Sequence, residues 1–421
     1  MKTLIHPSSV AGFIKAPTSK SSMQRACALS LLNFGRTIIS NPGNSNDDIA
    51  ALDIIQELGG LVSTSDNEII ITSNGYPQQP SHGMLNCGES GLSLRMFTPI
   101  AALIKSEMVI NGKGSLVNRP VHFFREILPL LGVSVSMNND LLPITIKGPL
   151  NPKNITIDGS FSSQYLTGLL MAFAQACTEP VTITVNDLKS KPYIDLTLQM
   201  MTHFGWEIQN LDYKKFLIVP VINTKPQTIK YSVEGDWSSA SFLLVAAAIA
   251  GKIHIEGLNI NSFQADREII DVLKAVGVNI QTGDNNISVS KGELNPFKFD
   301  ATHCPDLFPP LVALAASCKG ISYIRGVERL QHKESDRGHS LMKEFSKLGI
   351  NIQVQDNVME ITGGILSGAE VHSHHDHRIV MACAIAALNA SGPVTINGSE
   401  AVKKSYPFFF KDLMSIQSKL V

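Results

Sequence analysis

Five short stretches decide the fold: ELGGLVS (57–63), LLGVSVS (130–136), HFGWEIQ (203–209), AVGVNIQ (275–281) and KLGINIQ (347–353). In each, a helix-like run ends at a glycine, and residues of alternating polarity follow. The glycines, Gly59, Gly132, Gly205, Gly277 and Gly349, stand 73, 73, 72 and 72 residues apart. A glycine that can take a left-handed conformation stops a helix, and period-two patterning marks a strand. The repeat therefore predicts successive α/β units of about 72 residues. A sixth copy falls where the chain runs out in LMSIQSKLV, and the segment Thr3 to Ile14 is expected to supply its missing strand.

A second element recurs out of phase with the first. Ala/Leu-rich runs opened by Ser or Asp begin at Ser19, Ser90, Ser162, Ser238, Asp306 and Asp376. Ser and Asp are good N-caps, and runs that are apolar nearly all round mark buried helices. Six units divide naturally into two groups of three. The polar stretch from Thr224 to Glu234 is expected to be one crossover and Ala16 to Ser19 the other. The predicted domains are residues 19–232, and residues 1–18 together with 233–421. A single solenoid would need polar capping faces at its ends, and none is evident.

Composition narrows the function. Across 421 residues, 44% are hydrophobic and 17% charged, and Lys+Arg 35 against Asp+Glu 36 gives a net charge of −1. That balance argues against nucleic acid or an anionic membrane as partner. The apolar runs are too short to span a bilayer, and His6 and Pro7 interrupt any signal-like start, so a cytoplasmic protein is expected. Six cysteines without CxxC spacing read as buried, reduced thiols.

The polar residues crowd into the first turns of the buried helices: Lys20, Ser21, Arg25, Arg95, Ser162, Ser163, Gln164, His377 and Arg378. Helix N-termini offer free N–H groups and partial positive charge, which suits anions. Arg119, Lys333, Arg337 and Lys404 add cations from loops. This pattern points to a ligand carrying several negative charges, phosphates and a carboxylate. Asp306 and Glu334 lie among the cations and are candidates for proton transfer, although Asp306 serves equally well as an N-cap and Glu334 as an ion-pair partner. Other motifs are weaker. TSKSS lacks the glycine of a P-loop, no GxGxxG occurs, Cys87 reads as packing, and HSHHDHR (372–378) has a metal-binding composition without a second ligand cluster.

Taken together, SKSSMQRA (19–26), CGESGLSLR (87–95), LVNRP (116–120), DGSFSSQYLTGLLM (158–171), KSKPYIDLTL (189–198), VEGDWSSASFLLVAAA (233–248), HKESDR (332–337) and DHR (376–378) resemble the 5-enolpyruvylshikimate-3-phosphate synthase family in order and over nearly the whole chain. The resemblance implies a two-domain inside-out α/β barrel, with three units per domain around buried helices and the active site in the interdomain cleft. It implies transfer of the enolpyruvyl group of phosphoenolpyruvate to the 5-hydroxyl of shikimate 3-phosphate by a monomer without metal or organic cofactor. It assigns Lys20, Ser21, Arg25, Ser162, Ser163, Gln164, Ser190, Asp306 and Lys333 to shikimate 3-phosphate. It assigns Lys20, Gly91, Arg119, Gln164, Arg337, Arg378 and Lys404 to phosphoenolpyruvate. Asp306, Glu334 and Lys20 become the catalytic candidates, and glyphosate an expected inhibitor. Glu89, Leu92, Gln24 and Arg329 depart from the family's usual residues, and Glu89 would repel an anion unless turned away or paired. The alternatives are a UDP-N-acetylglucosamine enolpyruvyl transferase, whose reactive loop cysteine is not evident here, and a non-catalytic two-lobed anion-binding protein.

Overall fold

A computed structural model describes residues 1–221 and 225–418. The glycine reading has a direct structural counterpart. Gly59, Gly132, Gly205, Gly277 and Gly349 have φ of 93°, 85°, 92°, 90° and 85°, all left-handed, where a side chain would be strained. Each follows a helical segment and precedes a strand, the strands being Leu61–Thr64, Ser134–Asn138, Ile208–Leu211, Asn279–Thr282 and Asn351–Gln355.

The chain forms two compact units, one of Thr18–Val233 and one of Met1–Pro17 with the residues from Glu234 onward. In the first, three four-stranded sheets share one plan: a parallel pair, then two antiparallel neighbours. In the second, Lys298–Asp300, Ile321–Arg325, Val358–Thr362 and Asn351–Gln355 repeat that plan. A five-stranded sheet there extends it by one strand, and a three-stranded sheet holds only its first three positions.

The N-terminal segment serves two sheets. Lys2–Ile5 lies antiparallel to Val394–Asn397, whereas Ser9–Lys15 runs parallel to Gly251–Glu256 and also pairs with the C-terminal Gln417–Ser418. The rest of LMSIQSKLV, residues 419–421, lies outside the described residues. The expected crossover from Thr224 to Glu234 is narrowed to its end, because the chain passes between the units at Val233 and Glu234. Thr224 is outside the described residues, and Gln227–Ser232 is a strand parallel to Phe34–Ser40 within the first unit. Alternation of Ile229 and Tyr231 with polar neighbours gives it strand character despite its polarity.

The Ala/Leu-rich runs are the buried helices Lys20–Leu32, Gly91–Ala101, Ser163–Ala176, Trp237–Ala250, Phe308–Ser317 and His377–Ala387. Ser19, Ser90, Ser162 and Asp376 cap their helices with side-chain hydrogen bonds, as their residue types predict. Two starts differ from the reading. Asp236, not Ser238, caps the fourth helix, and Ser238 instead donates to Asp266. Asp306 makes no cap: it sits in a short 3-10 turn, Pro305–Leu307, and its carboxylate is taken by cations.

Candidate active site

In the Thr18–Val233 unit the first turns of three buried helices are cross-linked. Ser90 and Ser93, opening the second helix, both donate to Oε1 of the fully buried Gln24 on the first, at 2.8 and 3.0 Å. Arg95 Nη1 donates to Gln164 Oε1 of the third at 2.8 Å, and its guanidinium lies 5.3 Å from the Tyr165 ring centroid. Arg25 is fully buried. It donates to Thr197 Oγ1 at 2.9 Å and to the carbonyls of Ser21 and Tyr193, fastening the first helix to Lys191–His203. Burial lowers its pKa to about 10, leaving it charged at neutral pH. Lys20 pairs with the buried Asp47 at 2.9 Å. Ser162 accepts from the Gln164 backbone, Ser163 is buried beside it, and Ser190 holds a left-handed φ of 54° before its helix. A non-glycine residue there is strained, which is common where geometry serves function.

Gly91 brings two guanidiniums onto a helix start. A Cβ added to it would stand 2.9 Å from Arg119 Nη1 and 3.1 Å from Arg95 Nη1. Both arginines are only 6% exposed, and Arg95 Nε has no hydrogen-bond partner among the described residues. The Glu89 carboxylate lies against Gly114, at the start of the turn Gly114–Asn118 that leads to Arg119. Cys87 is buried, and burial pushes its thiol up to about 12, which makes it a poor nucleophile.

In the other unit the charges interlock more tightly. Asp306 Oδ1 meets Arg337 Nη1 at 2.8 Å and Lys333 Nζ at 3.4 Å, and its Oδ2 meets Arg378 Nη2 at 3.1 Å. Burial works to raise the Asp306 pKa, but Arg378, Lys333 and Arg337 outweigh it and hold the carboxyl well below its ordinary range. Arg337 is fully buried and also binds Glu334 Oε2 at 2.5 Å and Asp376 Oδ2 at 2.9 Å. Glu334 Oε1 lies 4.0 Å from Lys404 Nζ. Arg378 keeps one buried nitrogen, Nη1, with no partner among the described residues. Among those residues, no group of three or more His, Cys, Asp or Glu side chains is placed to hold a metal ion.

Asp266 was not anticipated from the sequence. It is fully buried, accepts from Ser238, and is pushed up to about 7 by burial and by the charge of Asp306, against the pull of Arg378. A carboxyl whose folded-state pKa is raised binds a proton that the unfolded chain has lost, so its contribution to stability falls as pH rises from about 4 to about 7. Asp266→Asn should therefore gain stability relative to the parent across that window. Urea midpoints measured at pH 4.5 and 7.5 check this, and an unchanged difference between the two would contradict it.

A family model described as EPSP synthase (3-phosphoshikimate 1-carboxyvinyltransferase) matches residues 5–413. The chain belongs to the EPSP synthase family. A 3-phosphoshikimate 1-carboxyvinyltransferase of Clostridium perfringens (strain SM101 / Type A) is 35% identical over 421 residues, covering 100% of this chain and 99% of that protein. One from Aeropyrum pernix is 34% identical, covering 100% and 96%. An EPSP synthase structure from Acinetobacter baumannii superposes with a TM-score of 0.81 at 25% identity, covering 99% of this chain and 98% of that one. An enolpyruvyl transferase from Streptomyces tendae, at 17% identity and TM-score 0.78, shares the fold.

The crowding of polar residues at helix starts and in loops pointed to Asp306, Glu334, Arg337 and Arg378, which form one cluster here, and to Arg119 and Gln164. The EPSP synthase resemblance added Gly91, which lies beside both Arg119 and Arg95, the latter bonded to Gln164. Sequence reasoning missed Asp47, Asp266 and the central part played by Asp376. Each is joined to its partner across tens of residues of sequence, so spacing gave no signal.

Proposed function

We propose that this chain transfers the enolpyruvyl group of phosphoenolpyruvate to the 5-hydroxyl of shikimate 3-phosphate, releasing phosphate. One observation carries the reading: Arg25, Arg95, Arg119, Arg337, Arg378 and Lys404 are each at most 6% exposed, the arginines in or just before the opening turns of helices and Lys404 at the end of the turn Ser399–Lys404. Buried cations are rare unless something negative meets them. Asp306, Glu334 and Asp376 supply part of that charge to Arg337, Arg378 and Lys404. Among the described residues the acceptors of Arg25 and Arg95 are neutral, and two small phosphorylated acids would supply the rest.

The two groups of residues act on one pair of substrates. Lys20, Ser21, Arg25, Ser162, Ser163, Gln164 and Ser190, with Asp306 and Lys333, hold shikimate 3-phosphate. Gly91, Arg119, Gln164, Arg337, Arg378 and Lys404, with Lys20, hold phosphoenolpyruvate. Asp306 takes the proton of the 5-hydroxyl, whose oxygen attacks C2, while Glu334, which takes up a proton once phosphoenolpyruvate engages Arg337 and Lys404, delivers it to the methylene carbon. The tetrahedral adduct then loses one of its methyl protons to Glu334 and expels phosphate, which takes a proton from Lys20 as it leaves, and the proton taken up by Asp306 makes good that of Lys20. The cations around Asp306 keep it ionised and able to accept from the hydroxyl, but they also weaken it as a base, so substrate anions that draw Arg378, Lys333 and Arg337 away from it would strengthen it. We read the two domains as three-unit inside-out barrels spanning 19–232 and 1–18 with 233–421. The shared strand plan and the left-handed glycines support that organisation. The chain works as a monomer in the cytoplasm, and no described helix is long and apolar enough to cross a membrane.

A phosphate-release assay tests the function. Release that requires both substrates supports it, while release with a UDP-sugar in place of shikimate 3-phosphate would favour the alternative transferase. Glyphosate should inhibit in competition with phosphoenolpyruvate, because Gly91 admits both to the Arg95 and Arg119 guanidiniums. Gly91→Ala puts a methyl against the movable ends of those arginines, so the protein folds. The KM for phosphoenolpyruvate should rise roughly tenfold or more, and glyphosate inhibition should weaken with it. Inhibition titrations on both proteins check this, and unchanged values would contradict the placement.

A further inference from the structure

The histidine tract 372–375 forms part of no group of three or more His, Cys, Asp or Glu side chains placed to hold a metal ion among the described residues, and its backbone turns through left-handed conformations. His374 and His375 are consecutive non-glycine residues with left-handed φ of 50° and 57°. Such pairs also occur at Asn139–Asp140, Asp212–Tyr213 and Asp356–Asn357, each with an Asn or Asp, the types that take this region most easily; here both residues are histidines, and side-chain contacts hold the turn. Those contacts centre on Glu344. Its side chain is fully buried, its Oε1 meets His374 Nε2 at 2.7 Å, and its Oε2 accepts from the His372 backbone N–H at 2.8 Å and from Lys347 at 2.6 Å. The His374 N–H in turn donates to His372 Nδ1 at 2.9 Å.

Glu344 lies on the helix Arg337–Lys347, which begins with Arg337. The two residues are seven apart, two turns along one face, about 10 Å of rise. That face grips the segment 372–378 at two points: Glu344 holds His372 and His374, and Arg337 holds Asp376 through Nε and Nη2. Between the two grips lies the left-handed turn, which Asp376 N–H and His375 N–H close on Ser373. Asp376 then caps the next helix by accepting from the Arg378 backbone.

We propose that Glu344, acting through His374, is a positioning residue: it holds the 373–376 turn so that Asp376 fixes Arg337 and aims Arg378 at the anion site. Resting on the reading of Arg337 and Arg378 as phosphoenolpyruvate ligands, this adds the residue that keeps both in place. Burial would raise the Glu344 pKa, but Lys347, His374 and the His372 N–H lower it, so the latch is charged at neutral pH.

Steady-state kinetics with both substrates, alongside thermal melts, test the proposal on Glu344→Gln, His374→Ala and His374→Gln in the full-length protein. Parent turnover comes first, because an inactive parent would refute the assigned reaction rather than the latch. With an active parent, Glu344→Gln and His374→Ala should raise the KM for phosphoenolpyruvate about tenfold and that for shikimate 3-phosphate less than threefold. His374→Gln, which keeps a donor toward Glu344, should restore most of the loss. Phosphoenolpyruvate KM values within twofold of the parent would overturn the proposal. So would equal rises in both KM values, or no rescue by His374→Gln, since either marks general packing. Should Glu344→Gln fail to fold, the His374 pair decides, because that side chain is 24% exposed and tolerates replacement.

Discussion

Replacing Glu334 by Gln should lower kcat by roughly a hundredfold to ten-thousandfold while leaving the fold and both KM values little changed. The carboxylate sits between Arg337 Nη2 and Lys404 Nζ, and an amide keeps its shape and can still accept from the arginine. What the amide lacks is a proton to exchange with the methylene carbon. The loss therefore belongs to the chemical step. Turnover in deuterium oxide gives a second reading: the parent should wash deuterium into the methylene of the product or of recovered phosphoenolpyruvate, and the variant should not. Near-normal kcat in a folded Glu334→Gln protein would remove Glu334 from the mechanism.

Asp376→Asn should cost stability as well as activity. Asp376 and Arg337 are both fully buried, and the carboxylate also takes the Ser335 hydroxyl at 3.2 Å and the Arg378 N–H at 2.9 Å. Removing one partner of a buried pair strands the other charge, at a typical cost of about 3–5 kcal/mol. Here Arg337 retains Asp306 and Glu334, so the lower end, about 3 kcal/mol, is expected. The freed guanidinium would compete for both catalytic carboxylates, and kcat should fall together with affinity for phosphoenolpyruvate. Denaturant midpoints and kinetics on the same preparation check this. A loss below about 1 kcal/mol, the range of exposed pairs, would show that Asp376 is not the anchor described.

What the sequence reveals follows from how local the physics is. The glycine stops were legible because a left-handed residue after a helix is a local demand that glycine meets most cheaply. Ser19, Ser90, Ser162 and Asp376 were legible as caps for the same reason. At the fourth helix Ser238 marks the start two residues late, because Asp236, an equally good cap, stands just before it. Asp306 offered two roles, and three cations from distant segments settled it. Asp47, Asp266 and Glu344 look like ordinary surface carboxylates in the sequence. Only folding brings Lys20, Ser238 and His374 to them, and composition does not encode such meetings. The strand Gln227–Ser232 was hidden for a related reason, since its parallel partner, Phe34–Ser40, lies almost two hundred residues earlier.

The most direct test of the account is product analysis of a reaction containing the protein, shikimate 3-phosphate and phosphoenolpyruvate, following the enolpyruvyl ether by mass spectrometry and free phosphate by colorimetry. The account predicts one ether on the 5-oxygen for each phosphate released, and neither product when either substrate is omitted. Phosphate released without ether, or an ether formed on a UDP-sugar instead, would contradict it.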